Sequence, residues 1–364
     1  MAMTDRIMRL RKKIFESALD GIILTDLPSI RYFTGFTGSS AILFISQEQL
    51  VVTTDGRYET QIKFELTDSE LTNSEYQLAI GSFSDQIKAI SKAVPSGGQI
   101  GLDPNSTTWG FVNIIEESLA QKARLLAKDN LGSHLRRIKD VGEIRRLEKA
   151  AQIADEALSR VLSQLKRGVS ERDFAHNLEE EMYLLGSSEP SFETIVASGE
   201  NSAMPHAHPT RRIFEAGDMV VIDFGATFEG YHSDMTRTFV IGEPTQEQAR
   251  VYLATKEAQA LTISIVREGV LAKEPDQKAR DYLNSLGLGK YFPHSVGHGV
   301  GLEIHESPIL HGSNSSQLGV GEVITIEPGV YIEGSFGVRI EDMVVVEEEG
   351  CRLITSFDSN WVTY

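Results

Sequence analysis

Five side chains that could bind metal ions lie in or next to apolar, strand-like runs in the second half of the chain. They are Asp223, Asp234, His298, Glu327 and Glu341. A carboxylate buried in such a run is costly unless a positive charge compensates it. Apart from Arg237 and Arg339, these runs contain no comparable set of basic residues. The sequence therefore predicts that a pair of divalent metal ions supplies the missing charge.

The first two carboxylates belong to a predicted β-hairpin. The segments DMVVIDFGA and YHSDMTRTF are both typical of strands, and a short connection at residues 227–230 joins them. A loop with Phe228 and Glu229 at its tip places Asp223 opposite Asp234, with Cβ atoms about 4.5–5.5 Å apart. Two carboxylates at this separation suit a pair of ions roughly 3.5–4 Å apart.

A second predicted hairpin contains the other two carboxylates. Its strands are ITIEPGVY and GVRIEDMVVV, and a loop centred on Gly334 places Glu327 opposite Glu341 unless a bulge shifts the register. Arg339 should point to the same strand face as Glu341 and orient a ligand carboxylate. Acids in a single hairpin are usually solvated at strand ends. Two such pairs, together with the glycine-flanked His298, favour a metal site instead.

The composition of the predicted ligand set narrows the choice of metal. Carboxylates with one imidazole suit Mn²⁺, Co²⁺ or Fe²⁺, whereas a structural zinc site needs thiolates and the chain has only Cys351. The ligands are spread over more than about a hundred residues, which excludes an EF-hand loop. Two ions can share a water molecule and polarise a carbonyl, so the chemistry favoured is hydrolysis without a covalent intermediate.

Further histidines lie close to the predicted ligands in sequence. His294 and His305 flank His298, and His206 precedes the first metal-binding strand. Any one of them alone is more often a surface or core histidine. Their clustering favours hydrogen bonds to a substrate carbonyl or to a developing oxyanion. His208 is the weakest candidate and is expected to be exposed.

Composition excludes several classes of partner. The 364 residues carry a net charge of −17, which argues against nucleic acid and anionic membranes because both need a basic surface. The single cysteine excludes an internal disulfide framework and fits a reducing compartment. No apolar run reaches the roughly 18 residues that a membrane span needs, and the basic first helix lacks the apolar core of a signal peptide. These features predict a cytoplasmic protein.

The pattern of predicted elements indicates two domains. Helices and strands alternate over residues 1–128, which is typical of an α/β domain with a mixed sheet. We place an N-terminal domain at 1–130, a linker at 131–139 and a catalytic domain at 140–364. In the latter, a helix that ends at Gly168 and a helix that ends at Gly269 belong to loosely similar segments. This faint repeat predicts a duplicated α/β unit with the site between its halves, although chance similarity of two amphipathic helices is the alternative.

The motifs that carry these residues resemble a known family. The segments IDFGATFEGYHSDMTRT, HSVGHGVGLEIHE, ITIEPGVY and GVRIED are similar to those of the proline-specific "pita-bread" metallopeptidases, aminopeptidase P and prolidase. RYFTGFTGSS and TTDGRY resemble the creatinase-like N-terminal domain that accompanies the catalytic domain in that family. The resemblance covers essentially the whole chain. It implies an α/β (α+β) protein with a creatinase-like mixed-sheet domain and a pseudo-two-fold pita-bread domain.

The resemblance also implies a role for each site residue. Asp223, Asp234, His298, Glu327 and Glu341 would bind two divalent ions, Mn²⁺ or Co²⁺ with Zn²⁺ or Fe²⁺ as alternatives. Asp234 and Glu341 would bridge the ions, and Glu327 would act as general base for a metal-bridging water. His206 and His305 would bind substrate and stabilise the tetrahedral intermediate, and His294 would help to shape the pocket. Homodimers or homotetramers are usual in the family.

The activity implied is hydrolysis of the peptide bond between an N-terminal residue and proline. We expect an Xaa-Pro exopeptidase of the aminopeptidase P type, with Xaa-Pro dipeptidase (prolidase) activity as the alternative. Two remoter alternatives share the fold: a metal-free creatinase-like amidinohydrolase and a non-catalytic protein that binds peptides. The presence of all five ligand positions argues against both.

Overall fold

The computed structural model describes residues 3–68, 76–129 and 131–358. The chain divides into two compact units, Met1–Arg136 and Arg137–Tyr364. The division falls within the linker predicted at 131–139, whose bounds we retain as a proposal. Among the described residues, no helix combines the length and apolar character that crossing a membrane requires.

The first unit contains one mixed sheet of six strands, in the order β4-β3-β2-β1-β5-β6. β2 runs antiparallel to both β1 and β3, and the other neighbours are parallel. The mixed sheet predicted from the sequence is therefore confirmed. The helices and strands are α1 Met3–Glu16, β1 Gly21–Leu24, α2 Leu27–Thr34, β2 Ala41–Ser46, β3 Leu50–Thr54, α3 Glu59–Asp68, β4 Gln77–Ile80, α4 Phe83–Ala93, β5 Gly98–Leu102, α5 Trp109–Leu119, β6 Ala123–Ala127 and α6 Ser133–Arg136.

The second unit combines four long helices with short strands. Its elements are α7 Val141–Val161, α8 Glu171–Leu184, β7 Ile195–Ser198, β8 Met219–Phe224, β9 Thr227–Phe228, β10 Tyr231–His232, β11 Met235–Val240, α9 Gln246–Ile263, α10 Lys273–Ser285, β12 Gly297–Gly299, β13 Glu306–Leu310, β14 Val323–Ile326, β15 Gly329–Ile332, β16 Phe336–Arg339, β17 Asp342–Val346 and β18 Cys351–Leu353. The two larger sheets have the orders β11-β8-β7 and β13-β12-β14-β17-β18.

Each half of the second unit packs a pair of helices against strands. In one half, Leu158 of α7 and Phe174 of α8 belong to the same buried cluster as Ile222 of β8. In the other half, Val251 of α9 and Leu283 of α10 are buried in one cluster with β14 and β17 residues. The duplicated α/β arrangement suggested by the faint repeat is therefore present.

The helix that opens the second unit, α7, begins directly after Asp140. Asp140 accepts hydrogen bonds from the backbone N–H groups of Gly142 and Glu143, while the Glu143 carboxylate accepts from the Asp140 N–H. These reciprocal bonds form a capping box. The helix ends at Val161 rather than at Gly168 as predicted, and a single 3₁₀ turn at Leu162–Gln164 follows it.

The register predicted for the first metal-binding hairpin is wrong by two positions. Asp223 lies opposite Thr236, not opposite Asp234. The tip is formed by Glu229 and Gly230, whose φ angles of 48° and 77° are both positive. Two-residue hairpin loops favour such turns because their twist matches that of the strands. Asp234 is two residues from Thr236 and therefore points to the same face of the hairpin. Because Asp223 lies opposite Thr236, the two aspartates still share that face.

The register of the second hairpin is confirmed. Gly334 lies in its loop with a φ of 67°, and the pairs Ile326–Asp342 and Gly329–Arg339 continue one register on either side of Glu327 and Glu341. Between these pairs the ladder opens. The N–H groups of the two glutamates donate to other segments instead, Glu327 to the carbonyl of Val296 just before β12 and Glu341 to the carbonyl of Thr236 in β11. The two glutamates therefore lie where their own hairpin meets β11 and the segment before β12.

Candidate metal centre and active site

The structure places every side chain predicted for the site in the wall of one cavity of about 570 Å³ in the second unit. This volume lies within the range of about 300–1,000 Å³ that is usual for small-ligand sites. Apolar side chains form much of the remaining wall. The predicted residues in the wall are His206, Asp223, Asp234, His294, His298, His305, Glu327, Arg339 and Glu341.

Three of the predicted ligands converge most closely. Asp234, His298 and Glu341 are buried, and each offers one ligand atom within 4.8 Å of the others. Nε2 of His298 lies 3.5 Å from an Asp234 oxygen and 3.5 Å from a Glu327 oxygen. The imidazole and the carboxylates therefore point into one small volume, as metal ligands do.

The protonation state of His298 follows from its surroundings. Its Nδ1 lies 3.0 Å from the Gly299 carbonyl oxygen, which can only accept a hydrogen bond. Nδ1 therefore carries the proton, and the Nε2 lone pair faces the carboxylates. Burial lowers the pKa of His298 to about 4, so the ring is neutral at pH 7. A neutral imidazole with its second nitrogen fixed by a carbonyl is the usual form of a histidine metal ligand.

Among the described residues, Arg339 is the cation that acts on the carboxylates of the cluster, and it offsets their burial and mutual repulsion only in part. Burial, followed by repulsion from Glu341, raises the pKa of Asp234 well above its ordinary value. Burial and then Glu327 raise the pKa of Glu341 in the same way, and burial raises the pKa of Glu327 to about 7. Such shifts arise where carboxylates are crowded in a low dielectric.

A second observation fits bound cations at this position. Oδ1 of Asp223 is buried and has no hydrogen-bond partner in the protein, whereas its Oδ2 accepts from Arg339. A buried carboxylate oxygen left unpaired in this way is costly. The unpaired oxygen, the crowded carboxylates and the neutral imidazole together form a donor set of the kind that suits divalent ions.

Arg339 organises two of the predicted ligands. One terminal nitrogen donates to Asp223 at 2.5 Å, and Nε donates to the Thr236 hydroxyl at 3.0 Å. The Thr236 hydroxyl in turn donates to Glu341 at 2.7 Å. A single buried guanidinium thus fixes one carboxylate directly and a second one through a hydroxyl group.

Two residues in this network were not predicted from the sequence, Thr236 and Tyr331. The Tyr331 hydroxyl accepts from Arg339 at 2.8 Å and lies 3.0 Å from Nε2 of His294. The predicted strands nevertheless contained the information needed to find both residues. Thr236 is two residues from Asp234 on the same strand face, and Tyr331 is a diagonal neighbour of Arg339 in the hairpin register.

The three further histidines occupy different parts of the cavity wall. The His305 ring stands edge-on to the His298 ring, with centroids 4.4 Å apart, and burial lowers its pKa. Both nitrogens of His294 are engaged, Nδ1 with the Ser295 carbonyl at 2.8 Å and Nε2 with Tyr331. His206 is exposed and follows Pro205, whose carbonyl accepts from Arg339 at 3.0 Å.

His208 lies at the edge of the same cavity. Its Nδ1 is 3.0 Å from a Glu193 oxygen, and both side chains are largely exposed. The expectation that His208 is exposed is therefore confirmed. An exposed pair of this kind contributes little stability.

Both units match models of known families. The model of metallopeptidase family M24 matches residues 145–348. The model of the creatinase/prolidase N-terminal domain matches residues 6–138. An uncharacterized peptidase of Bacillus subtilis is 38% identical over 352 residues, which cover 96% of this chain and 97% of the relative.

Solved structures are similar over the whole length. An Xaa-Pro dipeptidase from Bacillus anthracis has a TM-score of 0.93 and 36% identity, with 100% of both chains covered. An X-Pro aminopeptidase from Thermotoga maritima has a TM-score of 0.88 and 34% identity, with 98% of this chain and 99% of that chain covered. The predicted fold, a mixed-sheet N-terminal domain followed by a pseudo-two-fold catalytic domain, is thereby confirmed.

Proposed function

The chain belongs to metallopeptidase family M24, and on this premise we propose that it is a metal-dependent exopeptidase that hydrolyses the peptide bond before proline. The observation that carries the proposal is the convergence of Asp234, His298 and Glu341 in a cavity of suitable size. The Xaa-Pro names of two similar structures support the substrate class.

We propose that Asp223, Asp234, His298, Glu327 and Glu341 hold two divalent ions, with Asp234 and Glu341 shared between them. Carboxylate-rich ligation favours Mn²⁺ or Co²⁺, with Zn²⁺ or Fe²⁺ as alternatives. When bound, such ions lower the pKa of water and polarise a carbonyl. The neutral Nε2 of His298 and the unpaired oxygen of Asp223 support this assignment.

Glu327 is the proposed general base. Its carboxylate faces the cavity, 3.5 Å from Nε2 of His298, and its other near partner is the Thr325 hydroxyl at 3.5 Å. No protein cation pairs with this carboxylate among the described contacts, so it is available to accept a proton from the attacking water. It would then deliver that proton to the leaving proline nitrogen.

The histidines are proposed to bind the substrate in different ways. His305 stands against His298 and is partly exposed to the cavity, so its ring can donate to the substrate carbonyl or to the oxyanion. His206 is exposed in the same wall, so its ring is also free to contact the substrate. Because both nitrogens of His294 are engaged, that ring contributes shape rather than a hydrogen bond to the substrate.

Two forms of the activity are compatible with this site. An aminopeptidase of the P type accepts peptides extended beyond proline, whereas a dipeptidase accepts only Xaa-Pro. Turnover of Ala-Pro and Ala-Pro-Ala, measured side by side on the Mn²⁺- or Co²⁺-loaded protein, distinguishes them. Cleavage of the tripeptide identifies the aminopeptidase, and cleavage of the dipeptide alone identifies the dipeptidase. Failure to cleave either peptide would refute the proposed function.

We further propose that the protein is cytoplasmic and forms homodimers or homotetramers. The single cysteine supports a reducing compartment. The resemblance to the pita-bread metallopeptidases implies such an assembly. Light scattering of the purified full-length chain gives the number of subunits directly.

A further inference from the structure

A buried ion pair lies behind the active site, outside the proposed ligand set. Nζ of Lys139 is 2.9 Å from Oε2 of Glu306, and the two side chains are only 1% and 4% exposed. Desolvating two charges this completely offsets most of their attraction, so a buried ion pair is weak support for stability. Glu306 directly follows His305 in the chain, which connects the pair to the proposed substrate-binding group.

The Glu306 carboxylate lies beneath the loop that joins His298 to His305. Its Oε1 accepts a hydrogen bond from the Glu303 N–H at 3.3 Å. A Cβ added to Gly301 would lie 2.5 Å from Oε2, so the loop backbone passes directly over the carboxylate. The loop therefore closes around the Glu306 side chain.

The backbone of Lys139 is bound next to a strand of the catalytic sheet. The Lys139 backbone N–H donates to the Gly321 carbonyl at 2.9 Å, immediately before β14. β14 pairs with β12, the strand that contains His298. Lys139 thus fixes the Glu306 carboxylate relative to the same sheet that fixes His298.

We propose that Lys139 is a positioning residue, which through Glu306 sets the place of His305 against the His298 ring. The inference rests on the proposed function, because it assigns His305 to the substrate. Without the ammonium group, the Glu306 carboxylate turns toward water and draws the Glu303 N–H and the loop with it. A shift of about 1 Å in a substrate-binding group can lower turnover about 100-fold.

The test is a double-mutant cycle with His305 in the full-length, metal-loaded protein. Lys139→Met should lower kcat/KM for the better of the two alanyl-proline peptides by about 10- to 100-fold. In the His305→Ala background, the same substitution should cause no further loss, because the group that Lys139 positions is absent. Lys278→Met, at an exposed position on α10, serves as the matched control and should leave kcat/KM unchanged.

A second variant keeps the test decisive if Lys139→Met does not fold. Lys139→Met/Glu306→Gln removes both charges, so no isolated charge is left in the interior. We expect kcat/KM of this double variant to fall by about 3- to 10-fold, which corresponds to the contribution of one hydrogen bond. This loss should also disappear in the His305→Ala background.

Three results would overturn the proposal. The first is a wild-type kcat/KM in either Lys139→Met or Lys139→Met/Glu306→Gln, provided that the variant folds. The second is an undiminished fall in kcat/KM when Lys139→Met is made in the His305→Ala background. The third is unchanged amide hydrogen exchange over residues 300–305 in Lys139→Met. The exchange measurement does not depend on activity, and Lys139→Met should accelerate it. An inactive wild-type protein with accelerated exchange in Lys139→Met would refute the proposed function and leave the positioning of the loop supported.

Discussion

Removal of the Tyr331 hydroxyl group tests the hydrogen-bond network behind the metal ligands. Tyr331→Phe keeps the ring and deletes one oxygen, which accepts from Arg339 at 2.8 Å and contacts Nε2 of His294 at 3.0 Å. Burial raises the pKa of Tyr331 to about 12, so the group is a protonated hydroxyl over the whole working range of pH. Since His294 Nδ1 faces a carbonyl, the Tyr331 hydroxyl donates to His294.

The expected magnitude follows from the two bonds. A hydrogen bond to a charged group contributes about 1.5–3 kcal/mol, and a neutral one about 0.5–1.5 kcal/mol. In the variant, the Arg339 nitrogen that bonded Tyr331 still donates to the Pro205 carbonyl at 3.0 Å. This remaining bond reduces the free energy lost with the bond to Tyr331. We therefore expect the free energy of unfolding to fall by about 2–3 kcal/mol in Tyr331→Phe.

The assay compares urea unfolding of wild type, Tyr331→Phe and a control, Tyr183→Phe, whose side chain is half exposed on α8. Kinetics on the same proteins should show a higher KM, because His294 loses the partner that fixes its ring in the cavity wall. Metal content should stay unchanged, because no proposed ligand is altered. A loss of stability below about 0.5 kcal/mol, no larger than that of an ordinary surface substitution, would refute the reasoning.

Three further predictions concern the site itself. Glu327→Gln should lower kcat by at least about 100-fold while the thermal unfolding temperature changes little, because the base is lost and the shape is kept; substantial residual turnover would contradict the assigned role. His305→Ala should lower kcat/KM without changing the metal content measured by atomic absorption, and a metal-depleted variant would show that His305 is a ligand. In the metal-free protein, the raised pKa of Glu327, about 7, should make stability fall as pH rises from about 4.5 to 7, by up to about 3 kcal/mol. Bound metal should abolish this decline, and an equal decline in the metal-loaded protein would contradict it.

The sequence was sufficient to predict that the four proposed carboxylate ligands line one cavity, because side chains alternate between the two faces of a hairpin. The register assumed for Asp223 and Asp234 was wrong, yet an error of two positions left both carboxylates on one face. For Glu327 and Glu341 the register was right, since Gly334 marks the loop centre. Because side chains alternate between the two faces of a strand, a register error of an even number of positions leaves each side chain on its predicted face.

Contacts between distant segments could not be predicted in this way. The pairing of Lys139 with Glu306 joins residues that are 167 positions apart. The bond from Arg339 to the Pro205 carbonyl depends on how a loop folds against a strand. Neither leaves a periodic pattern in the sequence, because each depends on packing between elements rather than on the geometry within one.

The most direct test of the central claim is a metal titration of the chelator-treated protein, with hydrolysis of Ala-Pro, Ala-Pro-Ala and the proline-free control Ala-Ala-Ala measured at each step. We predict no turnover without metal, and recovery on addition of Mn²⁺ or Co²⁺ that is complete at about two ions per chain. Recovery should be confined to the peptides that contain proline. Full activity after exhaustive chelation, or equal cleavage of Ala-Ala-Ala, would contradict the account.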